Sequence, residues 1–241
     1  MLDVVTHYAD DLAYVHHTGF ADLARGAARH IVALLGSERQ RVVDLGCGSG
    51  IVLRTLGDAG HDAIGVDLSP AMIALARRIA PRARVVRGSL YDVRLPAADA
   101  ILAIGEPLNY LEPGARARPL APFFRKVARA LPRGGRFVFD VIVDGPGRTL
   151  SRRAWAAGDD WAVLVDTTED KARTRLTRDV TSFVLRGRRW RRTRELHQVR
   201  VLAAGEVARA LRGAGFTVSV RTSYGDHPLA ERRRAFMCRK R

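Results

Sequence analysis

The sequence predicts an α/β protein with a doubly wound parallel sheet, and two features of the chain indicate it. Short apolar segments alternate with amphipathic segments from residue 41 to residue 142, as in successive β-α-β units. The apolar segment 42–45 runs into a glycine-rich turn at 46–50, and the next apolar segment ends in Asp67. A glycine turn beside a strand-end carboxylate is typical of nucleoside sites in such sheets.

Periodicity places the individual elements. Residues 1–36 predict two helices separated at Thr18-Gly19, and the second carries apolar residues at helical spacing. We predict strands near 41–45, 63–66, 83–87, 99–104 and 135–142. We predict helices near 50–58, 70–79 and 115–131. Ser69-Pro70 is a favourable helix start, because a serine caps free backbone N–H groups and proline fits the first turn.

Residues 143–203 break this alternation. Gly145-Pro146-Gly147 marks the change, and strand-like segments follow at 161–165, 173–185 and 189–202. We predict a two- or three-stranded antiparallel insertion with a hairpin turn at Arg186-Gly187. A helix near 205–214 and strands at 216–222 and 233–239 then complete the main sheet. The prediction is one domain, 1–241, with a helical cap at 1–36 and an insertion or lid at 143–203.

The charge is strongly basic, with 41 Lys and Arg against 25 Asp and Glu, a formal net charge of +16. Only Lys126, Lys171 and Lys240 are lysines, and the arginines are spread along the whole chain. We favour solvated surface positions as their role, with a nucleic acid or an acidic substrate as the alternative partner. The sequence lacks an RNP-type aromatic pair, a KH loop and zinc-ligand spacing.

Targeting and membrane signals are missing from the sequence. No apolar run approaches the ~18–20 residues of a membrane span. The first residues, Met1-Leu2-Asp3-Val4, have neither the basic nor the apolar region of a signal peptide. Cys47 and Cys238 give no disulfide framework. We therefore expect a cytoplasmic protein that does not enter a membrane.

The turn Asp44-Leu45-Gly46-Cys47-Gly48-Ser49-Gly50 narrows the class of nucleoside. A dinucleotide site requires a third glycine where Ile51 stands, and no lysine follows to hold a phosphate. The segment resembles motif I of the class I S-adenosylmethionine (SAM) methyltransferases. Further matches to that family are Asp67, the segment 88–92, and the segment 131–137, in which Pro132-Arg133 replaces the usual order.

The resemblance implies a Rossmann-like sheet of order 3-2-1-4-5-7-6 with strand 7 antiparallel, and an insertion that covers the methyl acceptor. It implies SAM as cofactor, S-adenosyl-L-homocysteine (SAH) as product, and a bacterial small-molecule methyltransferase acting on nitrogen or oxygen. A transfer RNA or ribosomal RNA methyltransferase and a non-catalytic SAM-binding protein are the alternatives. The expected assembly is a monomer or a homodimer.

The same resemblance assigns the cofactor contacts. Asp44 approaches the amino end of the cofactor, Asp67 accepts the ribose hydroxyls, and an arginine of the N-terminal helices, Arg25, meets the carboxylate. The remaining predicted cofactor residues are Gly46, Cys47, Gly48, Leu68, Met72, Ser89, Leu90, Ile104 and Gly105.

Candidate catalytic residues lie in three places. A strongly marked catalytic dyad is not expected, because methyl transfer from a sulfonium depends mainly on the alignment of acceptor, methyl group and sulfur. Glu106 and Asn109 follow the fourth strand, where the Asn/Asp-Pro-Pro-Tyr/Phe motif of nucleic-acid amino-methyltransferases is missing. Glu106 is predicted either to accept a proton or pair with a cationic substrate, or to cap a helix. Asn109 is predicted to orient the acceptor.

The N-terminal helices hold Tyr8, Tyr14, His16, His17 and Arg25. Tyr14 and His17 are predicted to face the acceptor, with a solvated histidine as the alternative.

In the insertion, Glu195 and His197 share one strand face, because side chains alternate at period two. This pair is predicted either to look into the acceptor pocket or to form an ion pair that stiffens the hairpin. A Glu-x-His followed by an arginine, here Arg200, recurs in related bacterial methyltransferases. His227 is a candidate for the pocket rim. No cluster has metal-ligand spacing, so no metal is expected.

Overall fold

The computed structural model describes residues 7–111, 117–145 and 149–241. The helices are α1 (Asp10–Gly19), α2 (Asp22–Leu35), α3 (Ile51–Asp58), α4 (Pro70–Ile79), α5 (Leu120–Ala130) and α6 (Ala204–Gly213). The strands of the main sheet are β1 (Arg41–Leu45), β2 (Asp62–Asp67), β3 (Arg84–Arg87), β4 (Ala100–Ala103), β5 (Arg136–Ile142), β10 (Phe216–Arg221) and β13 (Arg233–Lys240). The remaining strands are β6 (Ser151–Ala157), β7 (Trp161–Glu169), β8 (Arg175–Arg186), β9 (Arg189–Arg200), β11 (Ser223–Tyr224) and β12 (His227–Pro228).

The main sheet has seven strands in the order β3-β2-β1-β4-β5-β13-β10. Strands β1 to β5 pair in parallel, and β13 runs antiparallel to both β5 and β10. This is the predicted doubly wound sheet with an antiparallel seventh strand, so the predicted fold class is confirmed. Because β1 has β2 on one side and β4 on the other, the chain reverses direction across the sheet beside β1, where ligands bind in such folds.

Helices cover both faces of the sheet and bury its side chains. Val42 belongs to the cluster under α2, α3 and α4, and its neighbour Val43 belongs to the cluster under α5 and α6. Four of the five residues of β1 are buried, as expected for a parallel strand that is covered on both sides. The sheet is therefore a rigid platform, and the carboxyl ends of β1 to β4 meet at one edge. No described helix is both long and apolar enough to cross a bilayer.

The insertion forms a separate antiparallel sheet, β6-β7-β8-β9. It has four strands, so the predicted number of two or three is wrong. The missed strand, β6, is an edge strand in which six of seven residues are exposed, and its sequence therefore carries no alternating apolar pattern. The hairpin between β8 and β9 turns at Gly187, which has φ +63°. The predicted turn was Arg186-Gly187, so the turn begins one position later than predicted, because Arg186 is still part of β8.

The inner face of this second sheet packs on α1. Leu12 and Val15 of the helix share a buried cluster with Trp161, Val163 and Val180 of the strands. The N-terminal helix and the insertion therefore form one layer, held by a common apolar core. Helix α5 begins at Leu120 rather than near residue 115. Pro146 and Gly147 of the predicted break lie outside the described ranges, as do residues 112–116.

Candidate functional site

A cavity of about 230 Å³ opens at the carboxyl ends of β1, β2, β3 and β4. Its two sides differ in origin. The glycine-turn side is formed by Asp44, Gly46–Ser49, Asp67–Ser69, Met72 and Gly88–Leu90. The histidine side is formed by His7, Tyr8, His16, Phe20, Glu106, Tyr110 and Arg233. The glycine-turn side comes from strand ends, whereas the histidine side joins the N-terminal segment to the loop after β4 and to β13.

The cavity lining includes all predicted cofactor residues except Arg25. These are Asp44, Gly46, Cys47, Gly48, Asp67, Leu68, Met72, Ser89, Leu90, Ile104 and Gly105. Arg25 is not among the described residues that line the cavity. Its side chain is 59% exposed on α2, with Nη1 3.5 Å from Asp22 Oδ1.

The glycine turn requires glycine for steric reasons. Gly46 has φ +78°, and a Cβ there would lie 2.6 Å from Pro107 Cβ. Gly50 has φ +84°, and a Cβ there would lie 2.9 Å from Ala76 Cα. The backbone N–H groups of Gly46 and Cys47 both donate to the Val66 carbonyl, at 2.7 and 3.0 Å. The turn is therefore fixed to the end of β2, which brings Asp67 beside it.

Asp67 is held by the backbone on both sides. Its Oδ2 accepts from Gly48 N and its Oδ1 from Ser69 N, each at 2.9 Å. Burial raises the pKa of Asp67, and the backbone N–H groups oppose that shift. A carboxylate has about four lone-pair positions, so these two bonds leave capacity for a diol.

Asp44 carries a buried, unsatisfied oxygen at the glycine-turn side of the cavity. It is 1% exposed, and its Oδ1 has no hydrogen-bond partner among the described residues. Burial, reinforced by the charge of Asp67, raises the pKa of Asp44 to about 7. An orphaned buried carboxylate beside a glycine turn fits a ligand that brings its own cation, since burying an unpaired charge is costly. The α-ammonium group of SAM is such a cation, so the residues present fit this cofactor.

The start of α4 links the two sides of the cavity. Ser69 accepts from Met72 N at 3.1 Å, the predicted N-cap, and donates its hydroxyl to the Tyr8 carbonyl at 2.6 Å. The N-terminal segment is thereby anchored directly to the loop that carries Asp67. Leu68 of the same loop remains 42% exposed at the cavity edge.

Glu106 is the centre of an ion network rather than a helix cap. Its Oε1 accepts from Arg178 Nη1 and its Oε2 from Arg233 Nη2, each at 2.5 Å. Burial alone would raise the pKa of Glu106, but the two guanidinium charges outweigh it and hold the pKa at about 2. Glu106 is therefore ionised, and both of its oxygens are engaged.

Asp140 of β5 holds the loop that carries Glu106. Its two oxygens accept from the backbone N–H groups of Gly105 and Glu106, at 2.8 and 3.1 Å, and Tyr224 donates its hydroxyl at 2.9 Å. Glu106 has φ +62°, which a residue with a side chain rarely adopts. The surrounding bonds stabilise this conformation, which directs the carboxylate to the arginines.

The side chain of Asn109 forms hydrogen bonds with backbone groups. Its Nδ2 donates to the Ile142 and Arg200 carbonyls at 2.9 and 2.8 Å, and its Oδ1 accepts from Ile142 N at 3.0 Å. The side chain has no exposure and lies outside the cavity lining. It joins the loop after β4 to β5 and β9.

The N-terminal helix presents His16, rather than His17, to the cavity. His16 and Phe20 are one helical turn apart and line the cavity together, with Tyr8 edge-on to His16 at 5.1 Å between ring centroids. His17 points to the glycine turn, with Nδ1 2.9 Å from Ser49 Oγ. Tyr14 faces the insertion and donates to Asp160 Oδ2 at 2.6 Å. A change of one position along a helix turns a side chain by ~100°, which separates the two histidines.

Glu195 and His197 form a buried pair, with Oε2 2.9 Å from Nε2. Glu195 also accepts from Tyr8 N at 2.7 Å and from Ala9 N at 3.0 Å, so it satisfies free N–H groups at the start of α1. His197 lies behind His7, with ring centroids 4.8 Å apart, and is not part of the cavity lining.

Two further candidates also lie away from the cavity. Arg200 donates to the Leu108 and Arg118 carbonyls, and His227 packs against Gly26 of α2.

Most residues of the histidine side are not predicted from the sequence. Arg178 and Arg233 meet Glu106 across 72 and 127 positions of the chain, and no local pattern indicates such a contact. His16 stands beside His17 in the sequence, and the buried Leu12 is the signal that separates them, because Leu12 lies one helical turn before His16, whereas His17 is turned away from it. No group of three or more potential metal ligands occurs within the described part of the chain.

The known proteins that this chain resembles are methyltransferases. Residues 42–135 match the family model described as a methyltransferase domain. YqeM of Bacillus subtilis, whose name assigns it to the methyltransferases, is 26% identical over 83% of this chain and 83% of its own. The 18S rRNA (guanine-N(7))-methyltransferase RID2 of Arabidopsis thaliana is 30% identical over 52% of this chain and 46% of its own.

Among solved structures, the sugar N-methyltransferase KedS8 from Streptoalloteichus is similar in fold over 100% of this chain and 96% of its own, with a TM-score of 0.73 and 23% identity. The glycine turn, the strand-end aspartate, the sheet order and these similarities agree. SAM is the cofactor, residues 42–135 carry a methyltransferase domain, and the fold is that of the class I SAM-dependent methyltransferases.

Proposed function

We propose that this enzyme transfers the methyl group of SAM to a nitrogen or oxygen atom of a small molecule. The observation that carries the proposal is the histidine side of the cavity. Side chains from the N-terminal segment, the loop after β4 and β13 line the part of the cavity in which an acceptor would lie. Such a compact wall suits a small ligand, because ligand sites are concave and bury most of a small ligand's surface.

The glycine-turn side would hold the cofactor. Asp67 would accept the ribose hydroxyls, Asp44 would pair with the ammonium group, and Met72, Ser89 and Leu90 would surround the adenine. When bound, SAM supplies an electrophilic methyl group on a positively charged sulfur. The contribution of the chain is to orient the acceptor and exclude water, and alignment of this kind can supply roughly 7–11 kcal/mol.

The insertion would act as part of the cover rather than as a free lid. Arg178 of β8 reaches the loop after β4 and bonds both Glu106 and Tyr110, the latter at 3.3 Å. The sheet of the insertion thus supports the histidine side through a side chain that does not itself line the cavity.

RNA is the second candidate substrate, and a surface feature favours it. On the outer face of β6–β9, Trp155 is 79% exposed and Trp190 is 55% exposed. Arg192 and Arg194 are exposed on the same face. Aromatic rings with arginines are typical of single-stranded nucleic-acid surfaces. This face lies on the opposite side of the sheet from α1.

The test is transfer of a radiolabelled methyl group from SAM to a bacterial extract separated into small molecules, RNA and protein. We expect label in the small-molecule fraction, with an Asp67→Ala variant as the inactive control. Label in RNA, with a yield that falls steeply as salt rises, would establish the second candidate instead. Label in no fraction would contradict both.

A further inference from the structure

We propose, building on the function above, that His16 accepts the proton of the methyl acceptor and that the acceptor atom is a hydroxyl oxygen rather than an alkylammonium nitrogen. Three observations carry this inference: the direction of the His16 ring, the engagement of each carboxylate near it, and the lack of charge on the ring.

The ring of His16 faces the cavity with its nitrogens free. It lines the cavity between Tyr8 and Phe20, with centroid distances of 5.1 and 6.4 Å. Within the described residues neither ring nitrogen makes a hydrogen bond. The aromatic neighbours fix the plane of the ring without using its polar atoms, which leaves them to a ligand.

Carboxylates on this side of the cavity are already engaged. Glu106 is bound by Arg178 and Arg233, and Asp140 by two backbone N–H groups and Tyr224. Glu195 is bound by two backbone N–H groups and His197. An alkylammonium acceptor would therefore meet no unpaired anion among the described residues of the histidine side, and burying it unpaired would be costly.

His16 is a base without charge at neutral pH. Burial lowers the pKa of His16 to about 4, with Glu106 opposing and Arg233, His17 and His197 reinforcing the shift. The phenols of Tyr8 and Tyr110 lie nearby and keep their protons, because burial raises the pKa of both. A base this weak cannot remove the proton of an alkylammonium ion, whose pKa is near ~10.

A hydroxyl acceptor avoids that difficulty. Its oxygen becomes strongly acidic only as it gains the methyl group, so a weak base suffices at that moment. The oxygen forms a bond to the methyl carbon, and the sulfur keeps the electron pair of the bond that breaks. The hydroxyl proton passes to a ring nitrogen of His16, and the resulting imidazolium returns it to water.

His7 is the rival base. Its Nε2 lies 2.8 Å from the Leu111 carbonyl, which can only accept, so Nε2 carries the hydrogen and Nδ1 has a free lone pair. That nitrogen is enclosed, and the ring lies against His197. The ring of His7 is held by its partner, whereas the ring of His16 is free to bind. We therefore assign the proton to His16.

The first experiment is chemical rescue with imidazole. With the acceptor identified from the labelled extract and SAM saturating, His16→Ala should lower kcat by about 10²–10⁴-fold. Added imidazole should restore at least part of this loss, while the Kd for SAM stays near the wild-type value. His16→Gln, which keeps the size of the side chain, should lose turnover equally and gain nothing from imidazole.

His30→Ala on α2 is the control and should keep wild-type turnover, and thermal melting verifies that each variant folds. Wild-type turnover in His16→Ala, or a loss that imidazole does not repair, would overturn the assignment. So would rescue of His7→Ala instead.

The second experiment does not depend on the acceptor. The ring of His16 is titrated by NMR in the SAH complex, with His16→Gln used to assign its signals. We expect a midpoint below 5, near the pKa of about 4. A midpoint above 6 would overturn the weak-base argument.

The site of methylation decides the acceptor class. Methylation on oxygen agrees with the proposal, and methylation of an aliphatic amine contradicts it. If the label enters RNA, the proposed function fails, while the titration still tests His16.

Discussion

The two sides of the cavity are built in different ways. The glycine-turn side is made of short, contiguous segments at strand ends, and backbone groups hold its key carboxylate, Asp67. The histidine side is made of side chains from distant segments, and ion pairs hold its key carboxylate, Glu106. Under the proposed function, the first arrangement would bind a constant cofactor, and the second could be altered residue by residue to suit a particular acceptor.

The largest effect is expected from Asp67→Ala on the glycine-turn side. Two hydrogen bonds to a charged acceptor are worth roughly 1.5–3 kcal/mol each. The Kd for SAM should therefore rise by about 10²–10⁴-fold, measured by calorimetry. Asp58→Ala is the matched control, because within the described ranges Asp58 pairs only with Arg54, on the surface of α3. An unchanged Kd in Asp67→Ala would show that Asp67 does not bind the ribose.

The histidine side should respond through stability. Glu106→Gln leaves Arg178 and Arg233 without their central anion, and breaking a buried ion pair costs roughly 3–5 kcal/mol. The melting temperature should fall by roughly 6–20 °C. The control is Glu206→Gln at the exposed start of α6. A melting temperature equal to that of the wild type would show that the network does not hold this side.

The pH dependence of SAM binding should come from Asp44. In the free protein burial and Asp67 raise the pKa of Asp44 to about 7, and under the proposed function the ionised form would bind the ammonium group. Affinity should therefore rise with pH, by about tenfold from pH 6 to pH 8, because the ionised fraction rises by that factor. Calorimetry at several pH values tests this, and Asp44→Asn should remove the slope. Affinity that falls with rising pH would reverse the assignment.

The smallest effect is expected from Arg25→Ala. The guanidinium is more than half exposed and lies outside the cavity lining. The Kd for SAM should change by less than about twofold, which is below ~0.4 kcal/mol. A larger loss, measured in the same titration, would mean that α2 moves toward the cofactor when it binds.

The difference between the two sides also explains what the sequence could predict. The turn 44–50 and Asp67 are local patterns, and the sheet order, Ser69 cap and most strand limits agree with the structure. The strand β6 was missed because an exposed edge strand needs no apolar alternation. The Glu106 network was missed because its partners are 72 and 127 positions away. The choice between His16 and His17 depends on the rotation of α1, which its packing on the insertion sets.

Calorimetric titration of SAM into His16→Ala and Asp67→Ala, side by side, decides whether the two sides of the cavity have separate tasks. We expect His16→Ala to bind SAM within about threefold of the wild-type Kd, or ~0.7 kcal/mol, while the Kd of Asp67→Ala rises by about 10²–10⁴-fold. Equal loss in both variants would contradict it, because the histidine side would then belong to the cofactor site.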